Sequence, residues 1–359
     1  MLKQETVETL FPKAEPVEGL VDFDALYKEL KEYFKEHVDL TDERNYSVLA
    51  SWTFATYKID DVSCTPHLSI LGQKGCGKTR LLETLRQVVN RGFMPIDLTK
   101  ASLYYMVDVF KPTLLVDETQ VYGNEEYGSI RILFSVYRRN QKVPRIGYKA
   151  ERSKEERIEC FSPFGFKAFA GLKDISENVS DRCVQITMLP ATRPVNRKVN
   201  EVEGASLRNR LCRWTEQELE GPPETTWSNV DPRLSELFET LLTNTPPKED
   251  FDTVKSVMSE LSLQKLATQK DSLEADVLRV FYKNASKVTD HWCSTMEIYG
   301  DVNRILEQND FRDCVSTRQV AAILHMFGFK PRRKEHARGF TLDLNRIQGL
   351  ATRYGVEMK

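Results

Sequence analysis

Gly72-Gln73-Lys74-Gly75-Cys76-Gly77-Lys78-Thr79 completes the pattern G-x-x-x-x-G-K-[ST], and the reading of this octet decides the fold. The apolar run Leu68-Ser69-Ile70-Leu71 leads into it, and Arg80-Leu81-Leu82-Glu83-Thr84-Leu85-Arg86 leads out with helical spacing. A strand, a glycine-rich turn and a helix in that order form the context in which such a loop binds phosphate. Glycines let the backbone wrap closely around the anion, and amide N–H groups at the start of the following helix point at it. The expected ligands are ATP and Mg²⁺. Gly72, Gly75, Cys76, Gly77 and Arg80 belong to the cradle, Lys78 reaches the β- and γ-phosphates, and Thr79 offers its hydroxyl to a hydrated Mg²⁺. A chance glycine turn would lack these flanks.

Thr113-Leu114-Leu115-Val116-Asp117-Glu118 is an apolar strand that ends in two carboxylates, with Asp117 lying 39 residues beyond Lys78. In a parallel sheet the carboxyl ends of the strands share one edge, so this pair is expected beside the loop. Asp117 would hold Mg²⁺ through water, and Glu118 would orient and activate an attacking water. By itself an apolar strand capped by Asp-Glu is ordinary surface chemistry. At this distance from the loop it turns an expectation of binding into one of hydrolysis.

At 359 residues the chain has room for two or three domains, and a composition 40% hydrophobic and 29% charged is that of a soluble globular protein. The net charge of −2 conceals a gradient: residues 1–45 carry 6 Lys/Arg against 12 Asp/Glu, whereas residues 311–359 carry 10 against 4. An acidic amino-terminal segment and a basic carboxyl-terminal one are expected to meet different partners. Seven cysteines, odd in number and without a C-x-x-C pair, argue for reduced thiols and against a disulfide framework or zinc site. With no signal peptide and no apolar run of membrane-spanning length, the expectation is a cytoplasmic protein with no membrane partner.

Residues 1–18 read as an extended arm. From Asp22 the spacing of Leu26, Leu30, Phe34 and Val38 predicts an amphipathic helix, and Val48 to Ala55 a more buried one. Strands are expected near 67–71, 94–98, 113–117, 166–170 and 184–188, with helices near 79–90, 100–109 and 127–139, an alternation that implies a parallel α/β sheet. Within it, Val143 to Tyr148 and Arg157 to Phe161 predict a two-stranded hairpin inserted at 143–161, with a charged tip from Lys149 to Glu156. Residues 191–269 form a Pro-interrupted helical lid or linker, and 270–359 a separate module. There Leu273, Val277, Leu278 and Phe281 mark one helix. Ser316 or Thr317 caps another, and Lys330-Pro331-Arg332-Arg333-Lys334 precedes a returning strand from Arg338. Helices followed by a basic two-stranded turn predict a winged helix-turn-helix, with Arg318 early on the recognition helix and Arg332, Arg333, Lys334 and Arg338 on the wing as DNA contacts. A small docking domain with a basic face is the competing reading.

In this order the motifs resemble the AAA+ ATPases, and within them a branch of phage, plasmid and other mobile-element replication proteins, sometimes fused to primases. The resemblance covers about residues 22–359 by motif order. Its marks are Ser51-Trp52-Thr53-Phe54-Ala55-Thr56, the phosphate loop, Leu115-Val116-Asp117-Glu118, Phe166 to Leu172 followed by Ser180-Asp181-Arg182, Asp231-Pro232-Arg233 at a helix start, and Arg338-Gly339-Phe340. The resemblance implies an amino-terminal helical segment over 1–45, an α/β AAA+ core over 46–190, a helical lid and a carboxyl-terminal winged helix. It also implies a ring, a hexamer, with ATP bound between subunits. Arg182 stands at the place of the arginine finger that reaches a neighbour's γ-phosphate. Arg233 stands at that of the sensor-two arginine of the lid, with Arg208, Arg210 and Arg213 as rivals. At the first sensor the pattern departs, since Gly171-Leu172-Lys173 follows the strand, and Lys173 is the candidate for that role. The hairpin falls where superfamily III and minichromosome-maintenance helicases line a central pore, so Lys149, Arg152 and Lys154 would meet DNA phosphates. The expected partners are DNA, further copies of the chain, and a primase or other replication protein. The expected function is an ATP-driven motor on DNA, a replicative helicase of a mobile element. A DNA loader or assembly factor that does not unwind, and a DNA-binding regulator switched by nucleotide, remain as alternatives.

Overall fold

The computed structural model describes residues 10–15, 17–95, 100–117, 135–146, 158–172, 177–196, 198–217, 231–243, 246–308 and 314–357. The chain divides into two compact units, Met1–Ser259 and Glu260–Lys359, and the division falls inside the helix Lys248–Lys270.

In the first unit, helix α1 (Phe23–His37) starts at Asp22, whose carboxylate accepts from the Ala25 amide at 3.1 Å and satisfies one of the orphan donors of the first turn. It buries Leu26, Tyr27, Leu30, Tyr33 and Phe34, spaced three or four apart. Helix α2 (Arg44–Tyr57) is buried from Asn45 to Thr56, and its Trp52 indole donates to the Pro66 carbonyl at 2.8 Å, fastening the helix to the start of the sheet. Strand β1 (His67–Gly72), helix α3 (Lys78–Val88), strand β2 (Gly92–Phe93), helix α4 (Lys100–Phe110) and strand β3 (Thr113–Val116) follow. Next come the antiparallel pair β4 (Val143–Ile146) and β5 (Ile158–Phe161), then β6 (Lys167–Gly171), the short helix α5 (Glu177–Ser180) and β7 (Cys183–Met188).

The sheet is wholly parallel, in the order β2-β3-β6-β1-β7. β1 lies between β6 and β7, with the chain leaving it toward one side of the sheet and returning on the other. Such a reversal opens a crevice at the carboxyl ends of the strands, where ligands of open α/β sheets bind. One face is covered by Leu103, Tyr104 and Val107 of α4 together with Val136, Val143 and Val179, packed on Leu114, Val116, Phe169 and Cys183. The amino-terminal arm joins this core: Phe11 meets Phe93 edge-on at 5.7 Å and Phe110 at 5.8 Å, and the Lys13 carbonyl accepts from Arg208 at 2.9 Å.

Two expected elements differ. The second strand is Gly92–Phe93; Met94 and Pro95, expected within it, stand outside it, as Pro95 has no N–H to give a ladder, and 96–98 lie outside the described residues. Of the helix expected near 127–139, residues 127–134 lie outside the described residues. Val136 and Tyr137 lie outside any helix, and Arg138 bridges to Cys64. Helices α6 (Glu201–Trp214), α7 (Pro232–Leu242) and the first part of α8 (Lys248–Lys270), up to Ser259, complete the unit.

The second unit holds α9 (Leu273–Ala285), β8 (Trp292–Ser294), α10 (Thr295–Gln308), α11 (Thr317–Met326), β9 (Pro331–Lys334), β10 (Ala337–Thr341) and α12 (Leu344–Tyr354). Its three strands form an antiparallel sheet, β8-β10-β9, and its core gathers Val277, Leu278, Phe281, Ile298, Leu324, Phe329, Phe340 and Ile347. Of the two candidate caps for α11, Ser316 is the one used. It forms a capping box, with Gln319 donating its backbone N–H to the Ser316 hydroxyl at 3.3 Å and accepting from the Ser316 amide at 2.8 Å. Among the described residues no helix is long and apolar enough to cross a membrane, and the seven cysteines form no disulfide.

Candidate active site

The phosphate loop stands at the end of β1, and its shape follows from three glycines. A side chain at Gly72 would collide with the Met188 carbonyl at 2.3 Å and the Cys76 sulfur at 2.6 Å, so only glycine lets the strands close there. Gly75 and Gly77 have φ of +84° and +94°, in the left-handed region that favours glycine. Gly77 is the N-cap of α3 and has no side chain to offer, which leaves the first-turn amides to an anion. Lys78 folds back into the loop, donating to the carbonyls of Gly72 at 2.7 Å and Gln73 at 2.8 Å, and passes 3.8 Å from the Cys76 sulfur. Cys76 is buried.

Across the crevice, Asp117 follows β3, and the Thr79 hydroxyl donates to its carboxylate at 2.6 Å. Two oxygens from two elements thus converge at the mouth of the loop. A hydroxyl beside a carboxylate is the sparse oxygen set that a hydrated Mg²⁺ accepts, so the residues fit that ion. Glu118 and Lys173 lie outside the described residues, as do the hairpin-tip residues Lys149, Arg152 and Lys154. The Arg80 guanidinium reaches the Asn196 carbonyl at 3.1 Å and Glu83 at 3.4 Å.

A second cluster occupies the opposite edge of the sheet. The His67 amide, at the start of β1, donates to the Arg182 carbonyl at 3.2 Å. The Arg182 guanidinium lies 5.5 Å from the centre of the Tyr137 ring, and that of Arg138 lies 5.3 Å from the same centre. Arg138 is held by Glu236 in a two-pronged pair, at 3.0 and 2.7 Å, and this carboxylate raises the Arg138 pKa above its ordinary value. Arg233 pairs with Asp181. Its helix, α7, is docked at this edge through Thr240 and the Glu236 carbonyl, which meet the Cys64 thiol at 3.2 and 3.3 Å. Arg233, the candidate sensor-two arginine, is thus found on the side of the sheet where the strands begin. The sequence gives the start of its helix, but the docking of α7 puts the arginine at the amino-terminal edge of the strands. The rivals are also engaged elsewhere: Arg208 with the Lys13 and Gln87 carbonyls, Arg210 with Glu29, and Arg213 with Glu216 and the Gly19 carbonyl.

In the second unit, Arg318 is exposed in the first turn of α11, and Arg332, Arg333 and Lys334 are exposed along β9. Arg338 stands directly opposite Arg333 in the antiparallel pair. Lys334 pairs with Asp290 at 2.9 Å and lies 5.8 Å from the Trp292 ring, whose indole donates to the Arg332 carbonyl at 3.2 Å. Trp292 lies so close over Gly339 that a side chain there would meet the indole at 2.6 Å. Nothing in the local sequence announces this brace, since β8 is only three residues long.

Loop, strand order and crevice define an α/β core of the phosphate-loop class. No family model matches the chain, and no curated protein matches it. Among solved structures, the chain is similar to the carboxyl-terminal region of NrS-1, at 13% identity over 92% of this chain and 77% of that one, with a TM-score of 0.36. It is similar to Drosophila ORC bound to DNA, at 12% identity over 97% and 98% of the two chains, with a TM-score of 0.25. The Aeropyrum pernix ORC2 protein, in its ADPNP-ADP complexes, gives 13% identity over 95% and 100%, with a TM-score of 0.23. Likeness this loose assigns no role to any residue.

Proposed function

We propose that the chain is an ATPase of the AAA+ type that works as a ring on DNA, as the replicative helicase of a mobile element. The observation that carries the reading is the position of Arg182 and the phosphate loop at opposite edges of one sheet. Arg182 is tied to the start of β1 and the loop begins at its end, five residues later, which is about 16 Å at 3.3 Å per residue. An arginine at that distance cannot stabilise charge on a phosphate in its own loop. It suits a phosphate in the loop of a second copy, which requires copies arranged head to tail, and a head-to-tail arrangement that closes is a ring.

Within one copy the roles divide by element. Lys78 and the amides of the first turn of α3 hold the phosphates, and Thr79 and Asp117 would hold Mg²⁺, which neutralises charge on the transferring group. Glu118, next in sequence, is assigned the attacking water. For DNA, the support is electrostatic. Arg333 and Arg338 face each other across β9 and β10, and like charges placed directly opposite destabilise a sheet. A polyanion laid along the ribbon reverses the sign of that term. The β4–β5 hairpin carries the second proposed contact, through the cations of its tip.

The test is strand displacement on forked DNA with ATP. Displacement coupled to turnover is the expected result. DNA-stimulated turnover without displacement would leave the loader, and nucleotide binding without turnover would leave the switched regulator.

A further inference from the structure

Lys167, the first residue of β6, is wholly buried, and no carboxylate among the described residues pairs with it. Its ammonium donates instead to three main-chain carbonyls: Val136 at 3.1 Å, Pro163 at 3.0 Å and Gly165 at 2.9 Å. Three N–H donors meet three acceptors, which uses the full capacity of an ammonium group. The acceptors lie on two different stretches of chain. Val136 belongs to the segment that enters the hairpin, whereas Pro163 and Gly165 belong to the segment that leaves it. Val136 is also bonded to Tyr137, whose ring carries Arg182.

We propose that Lys167 is a positioning residue that locks the base of the β4–β5 hairpin to the Tyr137–Arg182 edge, so that events at that edge are transmitted to the hairpin. The remainder of the hairpin base is held by a different element. Arg145 of β4 stacks over Tyr104 of α4 at 4.7 Å and donates to its hydroxyl at 2.9 Å, and the Ser162 amide donates to Asp108 at 2.8 Å. The hairpin therefore has a fixed side on α4 and a connection to the arginine edge in which Lys167 is the charged member, beside the Thr65 hydroxyl, which lies within reach of the Gly165 carbonyl at 3.1 Å and the Tyr137 carbonyl at 3.4 Å. A buried polar contact of this kind has two discrete arrangements, made or broken, which is what coupling between distant sites needs.

Protonation sets which arrangement holds. Burial pushes the Lys167 ammonium down to about 7, with Cys183 acting weakly in the opposite sense. A neutral amine donates two hydrogen bonds and turns its lone pair toward the third carbonyl. The folded value lies below the ordinary lysine value, so the fold as a whole gains stability as pH rises above about 7. What is lost there is the third contact and not the fold. The titratable and charged groups on the packed elements include His67 on β1, Cys183 on β7, Tyr137, Arg138, Arg139 and Arg182 at the edge, Tyr104, Tyr105 and Asp108 on α4, and Arg145, Glu159 and Cys160 on the hairpin.

The inference rests on the motor reading for its output and on the hairpin base alone for its geometry, and the experiment on the full chain separates the two. Hydrogen exchange over residues 158–166, corrected for the intrinsic pH dependence of exchange, is measured at pH 6 and pH 8.5 without nucleotide or DNA. Faster exchange at pH 8.5 in the wild type, and fast exchange at both pH values in Lys167→Met, are expected. The ratio of DNA-stimulated to basal ATPase is then compared across the same range. It should fall by about fivefold or more with rising pH in the wild type and be low and flat in Lys167→Met, with Lys167→Arg restoring it at pH 8.5. Exchange that does not change with pH in the wild type overturns the proposal, whether or not the Met variant folds. So does a Met variant with the wild-type ratio. A wild type whose ATPase ignores DNA at every pH, with the exchange pattern as expected, removes the motor reading and leaves the latch.

Discussion

Lys78 lies within hydrogen-bond reach of two carbonyls of its own loop, so its ammonium is held inside the loop proposed to bind phosphate. Lys78→Ala should accordingly weaken ATP binding itself. Glu118→Gln should leave binding near wild type and cut turnover by about a hundredfold or more, because an amide keeps the shape of the side chain but cannot take a proton from water. Isothermal titration of nucleotide, paired with a phosphate-release assay, separates the two effects. Turnover at the wild-type rate in Glu118→Gln would remove that residue from its role. At this scale the sequence was most informative where the chemistry is local. Gly72, Gly75, Gly77, Lys78 and Thr79 carry their geometry within eight residues. Lys167 gave no such signal: a lysine at the head of an apolar strand reads as a surface residue until the carbonyls of Val136, Pro163 and Gly165 are brought around it from elsewhere in the chain.

Among the elements, helices with a cap and an apolar stripe were legible, as Asp22 before α1 and Ser316 before α11 show. Elements made by distant pairing were not. β8 exists because Trp292, Cys293 and Ser294 pair with Thr341, Phe340 and Gly339, and three residues hold no periodicity to read. The docking of α7 was equally hidden, since the contacts of Thr240 and Glu236 with Cys64 join residues more than 170 positions apart. The amino-terminal arm belongs here too, for its composition predicts an extended segment but not its anchorage. Phe11 sits against Phe93 and Phe110, on the core that also supports the hairpin. Phe11→Ala should lower stability by about 1–3 kcal/mol, read as a shift in the urea midpoint with unchanged slope. No shift would mean that the arm contributes nothing to holding that core.

For the whole molecule, the separation of loop and arginine over one sheet turns a question of residues into one of assembly. If Arg182 serves a neighbour, Arg182→Ala and Lys78→Ala are each expected to be nearly inactive alone. Mixed, they form some interfaces that pair an intact arginine with an intact loop, and ATPase activity should reappear with a maximum near equal proportions. Wild-type turnover by assembled Arg182→Ala would end the assignment. A mixture no more active than its components would end the trans arrangement.

The two proposed DNA contacts separate in the same assembly. Arg332, Arg333 and Lys334 lie on an exposed strand of the second unit, whereas Arg152 and Lys154 fall in sequence between β4 and β5 of the first, outside the described residues. Cations that only bring DNA to the protein contribute a counterion-release term, with a slope of log K against log salt of about −0.9 per phosphate neutralised. Removing the three ribbon cations should therefore weaken DNA binding and flatten that slope, and unwinding should recover once DNA is in excess. Cations that grip the track during turnover behave differently, because saturation cannot replace a contact made anew in each cycle. Arg152→Ala with Lys154→Ala should keep basal ATPase and DNA binding near wild type while abolishing DNA stimulation and strand displacement at any DNA concentration. Measuring ATPase and displacement against DNA concentration at two salt concentrations distinguishes the cases. A tip variant that unwinds normally, beside a ribbon variant that excess DNA cannot rescue, would place the working contact in the second unit and favour a loader over a translocating motor.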